Sequence, residues 1–317
     1  LVGSEMCIRD SHPDIFWIKN TFSYYDYDGS TYVELSFISS GTTLETQKEK
    51  FNEALNDFVN NATMYSSEYE REKYVNDYII SNCVYDDEAA YNNNTKGNVS
   101  TAYGVLVDGK AICEGYARAF QLLCNKLGIE CVSIAGMTDD VGHEWNCAKI
   151  DGNWYQVDVT WNDSQDDFSN YYYFNLTDEQ MYSSHRADDL FDEIEPDNYN
   201  NDENLIGNLY VPECNSTEYN YYNQTAPILY AFDEENDNTI SNALANSAVN
   251  GDNYFNIIVD DSLDFEDAYS TLVQDGYVVN YIESANNMLW GEVELDTSSY
   301  AYKNDTLRVI TIVLNFK

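Results

Sequence analysis

Three side chains of this sequence have the types and spacing for nucleophilic chemistry: Cys113, His143 and Asp158. Cys113 sits in Asp108-Gly109-Lys110-Ala111-Ile112-Cys113-Glu114-Gly115-Tyr116, where a glycine-containing loop opens a helical pattern. The apolar face of that pattern is Tyr116, Phe120, Leu123, Cys124 and Leu127, and Gly128 closes it. Cys113 therefore falls at a helix start, where unpaired N–H groups and the macrodipole favour negative charge. Position alone leaves two readings open: a nucleophilic thiolate, or a buried thiol acting as a small hydrophobe.

His143 and Asp158 fall on two runs joined by Asp151-Gly152, the signature of a two-residue hairpin loop. With that loop Ile150 faces Asn153, so Asp158 comes opposite Trp145 and leaves the sheet on the same face as His143. Diagonal neighbours on one face lie ~7–8 Å apart at Cα, within reach of an imidazole–carboxylate hydrogen bond. A one-residue slip would separate them. The alternative is a surface histidine and an unrelated aspartate. Together, thiol, imidazole and carboxylate make a Cys–His–Asp arrangement, in which the thiolate attacks a carbonyl, the imidazole exchanges protons and the acid fixes its tautomer. Of the other two histidines, His12 lies outside these strands and His185 reads as a surface or domain-packing residue.

The remaining elements must bring the helix start to the hairpin. Ile15–Ile18 and Thr31–Ile38 read as strands around Asp26-Tyr27-Asp28-Gly29, a hairpin turn rather than a calcium loop, because the later ligands and terminal Glu are missing. Thr43–Asn60 is a helix with Leu44, Phe51, Leu55 and Phe58 on one side. Ser67-x-x-Glu70 is a capping box opening a second helix through Tyr74, Tyr78, Ile79 and Cys83. Glu130–Thr138, His143–Ile150 and Asn153–Trp161 are strands. Residues 1–10, LVGSEMCIRD, fit nothing that follows and read as a non-native leader, with any export signal lost. Residues 11–40 hold the N-terminal strands, 41–190 the catalytic domain, 191–207 an acidic linker and 208–317 a small α+β accessory domain. In the last, strands at Ile228–Phe232, Tyr254–Val259, Gly276–Tyr281 and Leu307–Asn315 alternate with helices at Asn238–Val249 and Asp264–Gln274.

Composition narrows the function classes. Asp plus Glu number 56 against 15 Lys plus Arg, a formal net charge of −41 in 317 residues. Such a surface repels phosphate backbones and anionic lipid heads, which excludes nucleic-acid and membrane-surface partners. Apolar runs such as Val309–Leu314 fall short of the ~20 residues of a membrane helix. Hydrophobic residues at 44% indicate a folded chain. Seven cysteines without a CxxC pair suit neither a disulfide scaffold nor a structural zinc site. Cys124, Cys131 and Cys147 read as packing. Low Lys with abundant Asp, Asn and Tyr suits an extracellular or cell-surface protein; a halophile's cytoplasm would give a similar acidity.

AICEGYARAFQLLCNKLGIECVSIAG and GHEWNCAKIDGNWYQVDVTWND resemble the core of the transglutaminase-like superfamily, within the papain-like fold. HPDIFWI, YVNDYIISNCVYD, TAYGVLVDGKA and YYYFNLTDEQMYSSH are similar to its bacterial surface branch, so the resemblance spans residues 12 to 190. It implies an α+β architecture: a helix bearing the cysteine packed on an antiparallel sheet, followed by the smaller C-terminal α+β domain. Carried over by position, Cys113 is the nucleophile, His143 the general base and acid, and Asp158 its orienter. One oxyanion donor is the backbone N–H of Cys113, and Tyr103 is a candidate for the second. Trp145 and Trp161 are core or cleft-wall candidates. Glu144 departs from the family, which has a small residue there, and strand parity points it to the opposite face. The implied activity is a cysteine-dependent amide hydrolase or acyltransferase working through an acyl-thioester on protein or peptide substrates, cell-wall associated ones included. No metal or organic cofactor is required by that mechanism. The alternative is a non-catalytic adhesion or assembly module that keeps the fold.

Overall fold

The computed structural model describes residues 11–92, 97–164, 166–187, 211–291 and 293–317. The expected leader and acidic linker lie outside the described residues. Two compact units emerge: unit 1 runs to Gln165 and from Tyr173 to Ser216, and unit 2 comprises Asp166–Tyr172 and Thr217–Lys317. Residues 211–216, placed in the accessory domain by the sequence reading, thus count with unit 1. There the Cys214 N–H bonds Asp178 Oδ2 at 3.0 Å.

Unit 1 begins with an exposed, tyrosine-rich antiparallel hairpin, β1 (Ile18–Tyr27) and β2 (Ser30–Phe37). The first strand was expected at Ile15–Ile18 and instead starts where that segment ends. Asp26 and Asp28 shape the turn, with Thr31 Oγ1 donating to Asp26 Oδ1 at 2.6 Å. Helix α1 (Gly41–Ala62) buries Phe51, Leu55, Phe58 and Ala62 at helical spacing. Helix α2 (Glu68–Asn82) starts at the full Ser67/Glu70 capping box. Two short strands, β3 (Val84–Tyr85) and β4 (Lys110–Ala111), pair in parallel and lead into α3 (Cys113–Lys126). Tyr116, Phe120, Leu123 and Cys124 of α3 are fully buried, and Gly128 at φ +82° ends it, with Ile129 N–H bonding Cys124 O.

The central sheet of unit 1 has the strand order β7-β6-β5-β8, antiparallel throughout. It comprises β5 (Cys131–Thr138), β6 (Val141–Ile150), β7 (Asn153–Val157) and β8 (His185–Ala187). Asp151 and Gly152 both take positive φ, and Ile150 pairs with Asn153 as the two-residue turn requires. The cysteine helix packs on this sheet, and Asn146 Nδ2 of β6 donates to Ala117 O of α3 at 3.0 Å. The run Asn153–Trp161, read as one strand, stops at Val157. Asp158 is extended but caps a short helix, α4 (Val159–Asn162), because its Oδ1 accepts from the N–H groups of Thr160 and Trp161. A further turn of helix, α5 (Asp178–Met181), precedes β8.

The buried face of α2 differs from its apolar pattern: it includes Glu72, Val75, Asn76 and Ile79. The polar pair is buried because it ties α2 to the segment around Asp158. Asn162 Nδ2 donates to Asn76 Oδ1 at 2.9 Å, Asn175 Nδ2 to Glu72 Oε2 at 2.7 Å, and Tyr173 N–H to Asn162 Oδ1 at 2.9 Å.

Unit 2 holds a four-stranded sheet in the order β11-β12-β10-β9, with β9 (Ile228–Leu229) parallel to β10 (Tyr254–Val259) and the other pairs, with β11 (Ala301–Asn304) and β12 (Val309–Val313), antiparallel. Its core gathers Leu229, Leu244, Ile257, Tyr281 and Ile310 with the helices α6 (Glu234–Asn250), α7 (Phe265–Tyr269) and α8 (Val278–Met288). Gly276–Tyr281, expected as a strand, runs into α8. The β-branched Val278-Val279 pair suggests a strand locally, but Val278, Tyr281, Ile282 and Ala285 bury one helical face. Among the described residues no helix is long and apolar enough to cross a membrane.

Burial raises the Glu72 carboxyl to about 8, against a smaller lowering by Asn175. The folded state holds this proton more tightly than the unfolded chain, so the stability linked to it is complete below about pH 4.5 and is lost as pH rises through about 8. Glu72→Gln keeps the shape and the acceptor and removes that dependence. Its melting temperature should exceed that of the wild type by several degrees at pH 8, with the gap closing as pH is lowered through the carboxylate range; a gap independent of pH would refute the assignment.

Candidate active site

Cys113 is the first residue of α3 and is half-buried. The β3–β4 ladder fixes its approach: Val84 N–H bonds Gly109 O at 3.0 Å and Asp86 N–H bonds Ala111 O at 2.8 Å. Ile112 is extended and provides no side-chain cap to the first-turn N–H groups. Gly115 is required by close packing, since a Cβ there would lie 2.6 Å from Val99 O and 2.8 Å from Ala111 Cβ. From β3, the Tyr85 side chain reaches Cys113 and interacts with both its backbone and its thiol. Burial foremost, then the adjoining Cys113, push the Tyr85 hydroxyl up to about 12, so it remains a protonated donor at neutral pH.

His143 stands on β6 opposite Gly136 of β5, with its side chain 6% exposed. Its Nε2 lies 2.7 Å from Asp158 Oδ2, and the ring also interacts with the Cys113 side chain. With Nε2 engaged by the carboxylate, Nδ1 is the nitrogen left for the thiol. Burial alone would lower this imidazole. The charge and hydrogen bond of Asp158, followed by Cys113, outweigh it and raise the group to about 10. Asp158 shows the converse balance: burial would raise it, but His143 first and His185 second bring it down to about 2. Its backbone is held by a 2.9 Å bond from its N–H to Tyr173 O.

The geometry therefore brings Cys113, His143 and Asp158 together. It also adds two residues that the sequence reading did not assign to the site. One is Tyr85, whose hydroxyl stands at Cys113. Tyr103, the expected candidate for that position, is instead buried between Phe16 and Phe51, with ring centroids 4.7 and 6.1 Å away, and its packing is that of an aromatic core. The other is His185, which is buried at 3% exposure and not on the surface, with Nε2 3.0 Å from the same Asp158 oxygen. Trp145, at 1% exposure, backs this group from the core and lines no open cleft, donating its Nε1–H to Gln156 Oε1 at 2.7 Å. Trp161 is half-buried, with its ring 5.9 Å from that of His143 and 4.6 Å from that of His185. Glu144 pairs with Ala135 on the other face of the sheet and hydrogen-bonds Ser133.

His143, Asp158 and His185 offer three potential metal-ligand atoms within 4.8 Å of one another. Around a tetrahedral zinc ion with bonds of ~2.0–2.2 Å, neighbouring ligand atoms stand ~3.3 Å or more apart. The observed Nε2···Oδ2 separations of 2.7 and 3.0 Å are those of charge-assisted hydrogen bonds.

Residues 56–159 match the model of the transglutaminase-like superfamily. Cys113, His143, Asp158 and Tyr85 all fall inside that stretch, and His185 falls outside it. The chain is 26% identical over 196 residues to kyphoscoliosis peptidase of Mus musculus and 24% identical over 196 residues to that of Homo sapiens. Each match covers 58% of this chain and 28% of the peptidase, so the chain spans under a third of the length of these curated relatives. A solved structure, described as a crystal structure of a TGase, superposes with a TM-score of 0.34 at 18% identity, over 50% of this chain and 48% of the other.

An amide in place of Asp158 has one acceptor oxygen and no charge, so Asp158→Asn should return the His143 imidazole from about 10 toward its ordinary value of 6.5, read by histidine ring NMR against pH. The sign follows from linkage. The His143 contribution to stability is complete below about pH 6.5 and is lost as pH rises through about 10. That alkaline slope should vanish in the variant; an unchanged His143 titration would refute the pairing.

Proposed function

We propose that this protein is a cysteine-dependent amide hydrolase or acyltransferase acting through an acyl-thioester on protein or peptide substrates. The observation that carries the reading is the convergence of three groups: the Cys113 side chain interacts with the His143 ring, whose Nε2 lies 2.7 Å from the Asp158 carboxylate. In the proposed cycle the Cys113 proton passes to His143 Nδ1, and the sulfur attacks the substrate carbonyl carbon. The tetrahedral oxygen takes hydrogen bonds from the Cys113 N–H and the Tyr85 hydroxyl. His143 then gives its proton to the leaving amine as the C–N bond breaks, leaving the acyl group on sulfur. Water, deprotonated by the same imidazole, releases the acid; a lysine-type amine in its place would give a cross-link. We favour water as the acceptor, since the curated relatives are named peptidases, and an extracellular or cell-surface setting, for which the acidic composition speaks.

Brief treatment with iodoacetamide at neutral pH tests the reading. Cys113 should be alkylated well ahead of the buried Cys83, Cys124, Cys131, Cys147 and Cys214, and His143→Ala should suppress the reaction. A Cys113 no faster than an ordinary exposed thiol would defeat it. Alkylation forms no oxyanion, so Tyr85→Phe should change that rate by only a few-fold while slowing acetylation of Cys113 by p-nitrophenyl acetate ~10²-fold. Equal effects on both reactions would remove Tyr85 from the oxyanion site.

A further inference from the structure

We propose that His185 is a positioning residue for this reaction: its Nε2–H clamps the Asp158 carboxylate in the orientation that presents Oδ2 to His143. The inference rests on the Cys113 reading above and adds a fourth side chain to it. Sheet register brings the two imidazoles together. On β5, Gly136 pairs with His143 of β6 and Thr138 pairs with His185 of β8, so both rings leave the same face. His185 Nε2 is 3.0 Å from Asp158 Oδ2, the oxygen that His143 contacts at 2.7 Å, and both the His185 and Asp158 side chains are 0% exposed.

The proton arrangement is determined by the partners. An ionised carboxylate only accepts, so His185 Nε2, 3.0 Å from Asp158 Oδ2, carries the ring N–H, while Nδ1 faces Ser184 Oγ at 2.9 Å. Oδ2 then receives two ring N–H groups, and Oδ1 receives the backbone N–H groups of Thr160 and Trp161 at 2.9 and 3.2 Å. A carboxylate has about four lone-pair directions, and these donors fill them. An apolar ring in place of His185 would fill the volume between Trp145 and Trp161, 5.1 and 4.6 Å away, but leave one direction empty. The carboxylate would then bind a proton more readily and turn away from His143 more easily.

The titratable groups around this point are His143 on β6, Asp158 at the start of α4, Cys113 at the start of α3, Tyr85 on β3, and Tyr173 ahead of α5, whose hydroxyl bonds Ser184. Trp145 and Trp161 are uncharged walls.

The test is the pH profile of Cys113 alkylation by iodoacetamide in the full chain. In His185→Phe, the less firmly held Asp158 should support the His143 imidazolium less well, moving the acid limb of Cys113 alkylation up by about one pH unit and lowering the rate within that limb about tenfold. In His185→Gln, whose amide N–H can reach the Nε2 position, the limb should return most of the way to wild type. A structural role alone predicts the opposite order, since Phe packs better than Gln, so a wild-type profile for Phe or equal shifts for both would overturn the proposal. If the variants lose their near-UV dichroism, ring 15N NMR of the wild type decides: a His185 proton on Nε2 supports the clamp and one on Nδ1 overturns it. Tight zinc binding lost in His185→Phe would also overturn it, by making the trio a metal site. Failure of wild-type Cys113 to react faster than an exposed thiol would defeat the enzymatic reading instead, and the NMR assignment would still report on His185.

Discussion

A carboxylate with no exposed surface, at Asp158, is the constraint on which the rest of unit 1 depends. Removing an ion from water costs several kcal/mol unless its lone pairs are satisfied. The folded chain meets that cost with four N–H groups drawn from β6, β8 and the first turn of α4. Those donors come from distant parts of the sequence, so the carboxylate can be satisfied only when the sheet has closed as far as β8. The ion that orients the imidazole thereby also makes the tertiary pairing specific.

Close packing makes room for this arrangement at two glycines. A Cβ on Gly136 would lie 2.2 Å from Arg186 O and 2.6 Å from the Trp145 indole, so only glycine lets β8 and Trp145 approach β5 together. Gly115 does the same for the first turn of α3 against residues 99 to 101. The buried Glu72–Asn175 and Asn76–Asn162 bonds hold two residues that follow Trp161 against α2. Polar groups in a core leave fewer satisfactory alternatives than apolar ones, which suits a site whose atoms must stay within a few tenths of an ångström.

Much of this was legible from local pattern. The Ser67 capping box, the Asp151-Gly152 turn and the apolar face of α3 each specify geometry within a few residues, and hairpin parity alone put His143 and Asp158 on one face. The parts not legible depend on pairings between remote segments. β8 has only three residues, too short for any alternation to show, and its register with β5 is a tertiary fact. Tyr85 reaches Cys113 through a two-residue parallel ladder with equally little local signal, whereas Tyr103, nearer in sequence, is drawn into the Phe16–Phe51 cluster. Gly276–Tyr281 shows the reverse failure: β-branched residues suggest a strand, and burial of Tyr281, Ile282 and Ala285 on one face makes a helix.

The residue type at position 158 follows from a division of labour between its two oxygens. Oδ1 belongs to the fold, capping α4 at the point where β7 ends, and Oδ2 belongs to the imidazoles. An asparagine could cap the helix, but it would turn an NH₂ group toward two ring N–H donors. A glutamate would keep both oxygens, yet its longer arm fits poorly to the N–H groups two and three residues ahead, for which aspartate is suited. A serine or threonine could cap but carries no charge to hold an imidazolium. Aspartate alone satisfies both requirements, so the change from strand to helix and the polarisation of His143 are consequences of one side chain.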